Sequence, residues 1–368
     1  MLALGSDAVD DPADDPLRDL RPRVQHVLDE FLSVQRGQLA QVGPELMPLV
    51  DIAADLLRGG KRLRPAFCYW GWRGAGRPDS PAIISVAAAL ELFQAAALVH
   101  DDIIDGSDTR RGLPSAHRRF AALHGGAAWR GDRTQFGIAG AILLGDLLLG
   151  WSDELLYGAG LADDELRRGR PMYDRMRSEV GAGQYLDVLA QVIGTTEPDE
   201  IADRARRVVR YKAARYSVER PLLLGGAAAG ATTDLLAAYS EYGLALGEAF
   251  QLRDDVLGVF GDPDQTGKPA GDDLREGKQT LLIAYALERA DPTARATVHR
   301  LLGDPKLDAD GVDRLRTVIV DSGALARVEA VVGDLVAAAR AALGRALVHG
   351  PARTALERLI DAAAVRDT

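Results

Sequence analysis

The chain has 368 residues with 54 acidic and 44 basic side chains, a net charge of −10, and a single cysteine, Cys68. That balance disfavours non-specific binding to nucleic acid or to an anionic membrane as the main task, and one cysteine excludes an internal disulfide framework or a cysteine-rich zinc site. Hydrophobic residues make up 47% of the chain but aromatics only 5%, so a large core must be built mostly from Ala, Leu and Val.

Residues 1–20 are acidic (Asp7, Asp10, Asp11, Asp14, Asp15) and punctuated by Pro, which predicts a mobile tail ahead of one domain over 21–368. This start lacks the basic and apolar regions of a signal peptide, and no uncharged apolar run of 18 residues occurs. The expectation is a soluble, cytoplasmic protein without a transmembrane segment. From Pro22 the spacing turns helical: Val24, Val27, Leu28 and Phe31 share a face, as do Leu46, Val50, Ala53, Ala54 and Leu57, before Gly59-Gly60 ends the second helix. Further helices are predicted over 83–105, 135–157, 174–193, 199–229, 233–260, 278–290, 294–302, 311–320, 324–347 and 351–364. No set of alternating β-branched runs interrupts them, so the fold class is all-α, a single large helical bundle. Segments 83–99 and 138–149 are apolar nearly all round, which places them inside the bundle. The stretches 106–134 and 261–277 read as loops, each following a carboxylate cluster.

The predicted helix 83–105 ends in Asp101-Asp102-Ile103-Ile104-Asp105, with Arg110-Arg111-Gly112 beyond. Asp101 and Asp105, four apart, share a face. Carboxylates so placed repel unless a cation compensates, and Mg²⁺, which takes oxygen ligands and completes its shell with phosphates, is the suitable ion; a solvated helix end would look similar. A second cluster, Phe250-Gln251-Leu252-Arg253-Asp254-Asp255-Val256-Leu257-Gly258, precedes Gly267-Lys268, Asp272-Asp273 and Lys278. Phe93-Gln94 before Asp101-Asp102 echoes Phe250-Gln251 before Asp254-Asp255, as two helices facing one cavity would. Gly59-Gly60-Lys61-Arg62-Leu63-Arg64-Pro65 is a dense cationic turn in an acidic chain, suited to a diphosphate held without metal, although a basic helix cap has the same look. Lys212 adds a cation. A phosphate loop at Gly261–Lys268 fails because Pro269 stands where Ser or Thr is required, and neither a His-Glu-x-x-His helix nor a Gly-x-Ser-x-Gly elbow is present. His100 points about 100° away from Asp101 on the helix, which suits a packing role.

In this combination and order, the motifs resemble the trans-isoprenyl diphosphate synthases over about Gly59 to Lys278. Asp101–Asp105 looks like the first aspartate-rich motif, Gly60–Pro65 like the isopentenyl diphosphate motif, and Phe250–Asp255 with Gly267-Lys268, Asp273 and Lys278 like the second aspartate-rich motif and its tail. The resemblance implies head-to-tail condensation of isopentenyl diphosphate with an allylic diphosphate, and a homodimer. It implies a trinuclear Mg²⁺ cluster on Asp101, Asp105 and Asp254, helped by Asp102 and Asp255. Arg110, Lys212 and Lys268 would neutralise the allylic diphosphate; Gly60, Lys61, Arg64, Gln94 and Arg111 would hold isopentenyl diphosphate, with Gln251 and Lys278 completing the substrate-binding set.

Four positions depart from that pattern: Gly258 replaces the last aspartate of the second motif, Gln94 stands where His is frequent, Ala213 stands where Thr or Ser is common, and Arg366-Asp367-Thr368 lacks a basic tail. Ala96 and Ala97, where farnesyl synthases would call for bulk, predict an open channel with Phe93 as a deeper floor. The expected product is therefore geranylgeranyl diphosphate, with farnesyl, geranylfarnesyl or longer products as alternatives, and Ala96→Phe should shorten it. A terpene cyclase or a non-catalytic regulatory subunit are the competing readings; the cationic turn argues against the first, and the intact first motif against the second.

Overall fold

The computed structural model describes residues 17–110, 112–193, 197–261 and 271–364. Helices account for nearly all regular structure: α1 (Leu20–Val42), α2 (Met47–Leu57), α3 (Leu63–Gly74), α4 (Pro81–Ile104), α5 (Ala116–Gly126), α6 (Arg133–Tyr157), α7 (Asp163–Val192), α8 (Pro198–Val208), α9 (Arg220–Ala229) and α10 (Thr233–Phe260) come first. They are followed by a short turn, Asp272–Arg275, and by helices Leu281–Arg289, Pro292–Leu301, Ala309–Asp321, Ala324–Arg345 and Ala352–Ala364. Leu17 and Leu20 are buried, so the packed chain begins no later than Leu17.

α4 is the central pillar. It starts where the Ser80 hydroxyl accepts the Ile83 N–H at 3.5 Å with Pro81 in its first turn, and it packs against α6, α3 and α1. Apolar nearly all round before its carboxylate end, it is mostly enclosed: Ile83, Ala87, Ala88, Leu90, Leu92 and Ala96 are fully buried. α10 stands across the cavity from it, capped by the Thr232 hydroxyl on the Leu235 N–H and packed on Ala324–Arg345.

Four elements differ from the sequence expectation. α3 forms over Leu63–Gly74, a stretch in which the apolar spacing marks no helix. α7 begins at Asp163, because Glu165 reaches back to the Ala162 N–H at 3.0 Å and caps the helix, which then runs through Pro171 at the cost of one intrahelical hydrogen bond. The span 106–134 contains α5 and a two-residue antiparallel pairing, Thr109↔Pro114 and Arg110↔Leu113. Finally, 199–229 is continuous but changes winding: Val209–Glu219 is a π-helix between α8 and α9. Such widened turns re-aim side chains and favour functional sites.

By length and composition, α4 and α6 could each cross a membrane. The most apolar window of α4 is 72% buried inside the bundle, as a core helix should be, whereas that of α6 is only 33% buried.

Candidate active site

A cavity of about 890 Å³ opens between α4, α7, the π-helix, α10 and the turn after α2. Asp101 and Gln94 reach it from α4, Gln184 and Asp187 from α7, Lys212, Tyr216 and Ser217 from the π-helix, and Gln251, Asp254 and Asp255 from α10. Gly60, Lys61, Arg64, Arg110, Asp273 and Lys278 complete the lining used below. Two motifs far apart in the chain, around Asp101 and Asp254, thus face one space, as the Phe-Gln echo suggested. Arg111 and Lys268 lie outside the described residues.

Asp101 is the hub. Its Oδ1 accepts from Gln184 Nε2 at 2.8 Å and lies 3.4 Å from Lys212 Nζ, and its Oδ2 is 3.7 Å from Arg110. Burial opposes ionisation, but Lys212, Arg110 and Lys278, with the Gln184 hydrogen bond, outweigh it and hold this carboxyl below its ordinary range. Asp105 goes the other way, pushed up to about 6 by burial and by the charge of Asp101. Asp255, with Oδ1 accepting from Gln251 Nε2 at 2.8 Å, is pushed up to about 7 by burial, with Asp273 and Asp254 adding to the rise.

Lys212 is fixed by carboxylates on two other helices: Nζ donates to Asp187 Oδ2 at 2.6 Å and approaches Asp101. This is possible because Gly183, one turn before Asp187, lets α7 touch the π-helix; a Cβ there would collide with the Lys212 and Tyr211 backbone. Gln184, Asp187, Tyr216 and Ser217 were missed from sequence. The available signal was Gly183-Gln184 and Asp187 interrupting an otherwise ordinary helix.

Neither Asp102 nor Asp105 borders this cavity. Asp102 is 1% exposed and accepts from Arg110 Nε at 2.8 Å and from Nη2, while its Oδ2 is buried without a hydrogen-bond partner. In this geometry it clamps Arg110. Gln94 accepts from the Tyr216 hydroxyl, which leaves its amide nitrogen as the group able to donate to a phosphate. Arg64 donates to Ser217 Oγ at 2.6 Å and stacks 4.3 Å over the Tyr216 ring. Ala213 lines the cavity without a hydroxyl; Tyr216 and Ser217 carry hydroxyls on the same wall.

Gly258 also has a geometric reason. A Cβ at 258 would overlap the Asp273 carboxylate, so Asp273, itself 2.8 Å from Lys278 Nζ, sits where a longer residue at 258 would put its side chain. The carboxylate missing from α10 is replaced in space by one from the next segment.

Among the described residues no three His, Cys, Asp or Glu side chains are gathered closely enough to hold a metal by themselves. The donor set nonetheless fits a hard divalent cation that shares its shell with phosphate. It is all oxygen and comes from two facing helices, and burial with neighbouring carboxylates raises Asp105 and Asp255, whose ionised forms a bound cation would favour.

A smaller cavity of about 500 Å³ continues from the first, sharing Ala97, Asp101, Val180 and Gln184, and reaches Phe93, His100 and Leu149. Phe93 packs edge-on to Tyr173 and Tyr216, with ring centroids 6.2 and 5.7 Å away. Ala96 is fully buried and borders neither cavity, so of the two alanines only Ala97 faces the channel. His100 borders this cavity and lies 3.3 Å from the Ile142 carbonyl on α6.

Residues 48–319 match the family model described as polyprenyl synthetase. The chain is 32% identical over 343 residues to a geranylfarnesyl diphosphate synthase of Aeropyrum pernix, covering 92% of this chain and 97% of that one. It is 31% identical over 340 residues to a nonaprenyl diphosphate synthase of Mycobacterium tuberculosis, covering 90% and 93%. The crystal structure of a geranylgeranyl pyrophosphate synthase from Corynebacterium glutamicum, complexed with isoprenyl diphosphate and magnesium, superposes with a TM-score of 0.91 at 37% identity, covering 95% of this chain and 99% of that one. With the family model matched over 48–319 and at least 90% of its length covered by each of these relatives, the chain belongs to the polyprenyl synthetase family of prenyltransferases.

Proposed function

We propose that the protein condenses isopentenyl diphosphate with allylic diphosphates, head to tail and all-trans, and releases diphosphate. The observation that carries this reading is the convergence of two carboxylate helices and one cationic turn on a single cavity. Asp101, Asp105, Asp254 and Asp255 would hold magnesium, three ions in the resemblance noted above, with Asp273 in the space beside Gly258. Bound there with the substrate, magnesium supplies Lewis-acid stabilisation of the departing diphosphate. Lys212, steered by Asp187, and Arg110, clamped by Asp102, add fixed positive charge to the same leaving group. Lys61, Arg64 and Gln94 hold isopentenyl diphosphate.

The chain's own contribution is positioning and dryness. Ala97, Leu98, Val180, Ala213 and Phe250 border the cavity beside these groups and exclude water from the allylic carbocation. The isopentenyl double bond attacks that cation, a carbon–carbon bond forms, and the proton lost from the new tertiary cation passes to the leaving diphosphate, so no carboxylate is needed as base.

Chain length is set by the second cavity. Ala97 lies four residues and Phe93 eight residues before Asp101, about 6 and 12 Å deeper along α4. The open step at Ala97 and the aromatic floor at Phe93 support geranylgeranyl diphosphate as the main product, with geranylfarnesyl diphosphate next. The sparsely covered face of α6, with Phe136, Ile142, Leu143 and Tyr157 exposed, supports a homodimer. The net charge of −10 and the lone buried Cys68 support a cytoplasmic setting. Mass analysis of products from dimethylallyl, geranyl and farnesyl primers with Mg²⁺ tests the reading; elongation ending at twenty carbons is expected, and cyclic products or no elongation would contradict it.

A further inference from the structure

Between α2 and α3 the backbone takes left-handed conformations at Gly59 (φ 71°), Gly60 (φ 86°) and Arg62 (φ 55°). For glycine this is ordinary, but for Arg it is uncommon and persists only where the surroundings impose it. The surroundings here are a buried ion pair. Arg62 is 5% exposed although Gly60 and Lys61 beside it are open to solvent, and its guanidinium donates to Glu91 on α4, to the Leu57 carbonyl, and to Gln25 Oε1 on α1 at 2.6 Å. The Glu91 side chain is equally enclosed. Such a pair tolerates the loss of neither partner, because the survivor stays buried and uncompensated.

Glu91 lies on the stripe of α4 that also presents Gln94, Leu98 and Asp101 to the main cavity, at spacings of three, four and three. We infer that Glu91 is a positioning residue: by clamping Arg62 it holds the turn in its left-handed path, so that Gly60 and Lys61 meet a diphosphate at a set distance from the carboxylate end of the same helix. Ten residues of α4, about 15 Å, separate this anchor from Asp101. One rigid element therefore spaces the two substrate subsites. Arg64 has its own supports in Ser217 and Tyr216, so the anchor governs the Lys61 side of the turn. Glu91 can line a diphosphate pocket only because Arg62 neutralises it.

The inference rests on the proposed reaction and is tested by steady-state kinetics on the full chain with each substrate varied in turn. Glu91→Gln should raise the KM for isopentenyl diphosphate at least about tenfold, the scale of loss when a substrate-positioning element drifts, while the KM for the allylic primer stays within about twofold. Arg62→Gly, which accepts the left-handed backbone but lacks the guanidinium, should show the same split and carries the test if Glu91→Gln fails to fold. Equal changes in both KM values, or no change for isopentenyl diphosphate, would overturn the anchor while leaving the reaction standing. No elongation by the unsubstituted protein would overturn the reaction and the anchor with it.

Discussion

Lys212 shows how a residue acquires its role from helices distant in the chain. Its ammonium sits between Asp187 of α7 and Asp101 of α4, and reaches them because Gly183 brings α7 against the π-helix. Asp187→Asn should lower kcat by roughly 10- to 100-fold, the usual loss when the partner that orients a functional group is removed, with an unchanged circular-dichroism spectrum. Gly258→Asp, which would restore the family pattern on paper, should instead displace Asp273 and lower activity, and pairing it with Asp273→Gly should recover part of the loss. The aspartates, Lys61 and Arg64 were legible because each motif is contiguous in sequence. Gln184, Asp187 and Glu91 were not, since each becomes functional only through a contact made across the fold. Adjacency does not fix direction either: Asp102 stands next to Asp101 but turns toward Arg110.

At the scale of elements, α4 holds the anchor of the cationic turn, the phosphate-facing Gln94, the channel residues Phe93 and Ala97, and the Asp101 hub. Because Ala97 borders both cavities while Ala96 borders neither, Ala97→Phe should shorten the product to farnesyl length. Ala96→Phe should instead overpack the junction with its neighbours and destabilise the fold by about 1–3 kcal/mol. Product mass and thermal melting separate the two outcomes. Apolar spacing located most helices, and α4 and α10 lie where the sequence placed them, whereas α3 and α5 carried no such signal. Nor did the π-helix, because its widened winding answers to packing among α7, α9 and α10 and leaves no mark in local composition. The same holds for the start of α7, where the Glu165 cap outweighs Pro171.

For the whole molecule, the site's charge couples binding to pH. Asp105 and Asp255, raised to about 6 and about 7 from 3.8, bind protons more tightly folded than unfolded. Their contribution to the stability of the metal-free protein is therefore full below the unfolded value and lost as pH rises through 6 to 7. If they hold magnesium as proposed, it needs them ionised, so the rise in Tm on adding Mg²⁺ with diphosphate should grow between about pH 6 and pH 8, and binding should release protons in calorimetry. Leu143→Glu on the uncovered face of α6 should turn a dimer into monomers by light scattering without altering the helical spectrum. The central claim, that two carboxylate helices and a cationic turn form one elongating site, is tested most directly by incubating the full chain with labelled isopentenyl diphosphate and geranyl or farnesyl diphosphate, with and without Mg²⁺, and weighing the products. The account predicts Mg²⁺-dependent growth that stops at twenty carbons, with a minor twenty-five-carbon species; an unextended primer under every condition would contradict it.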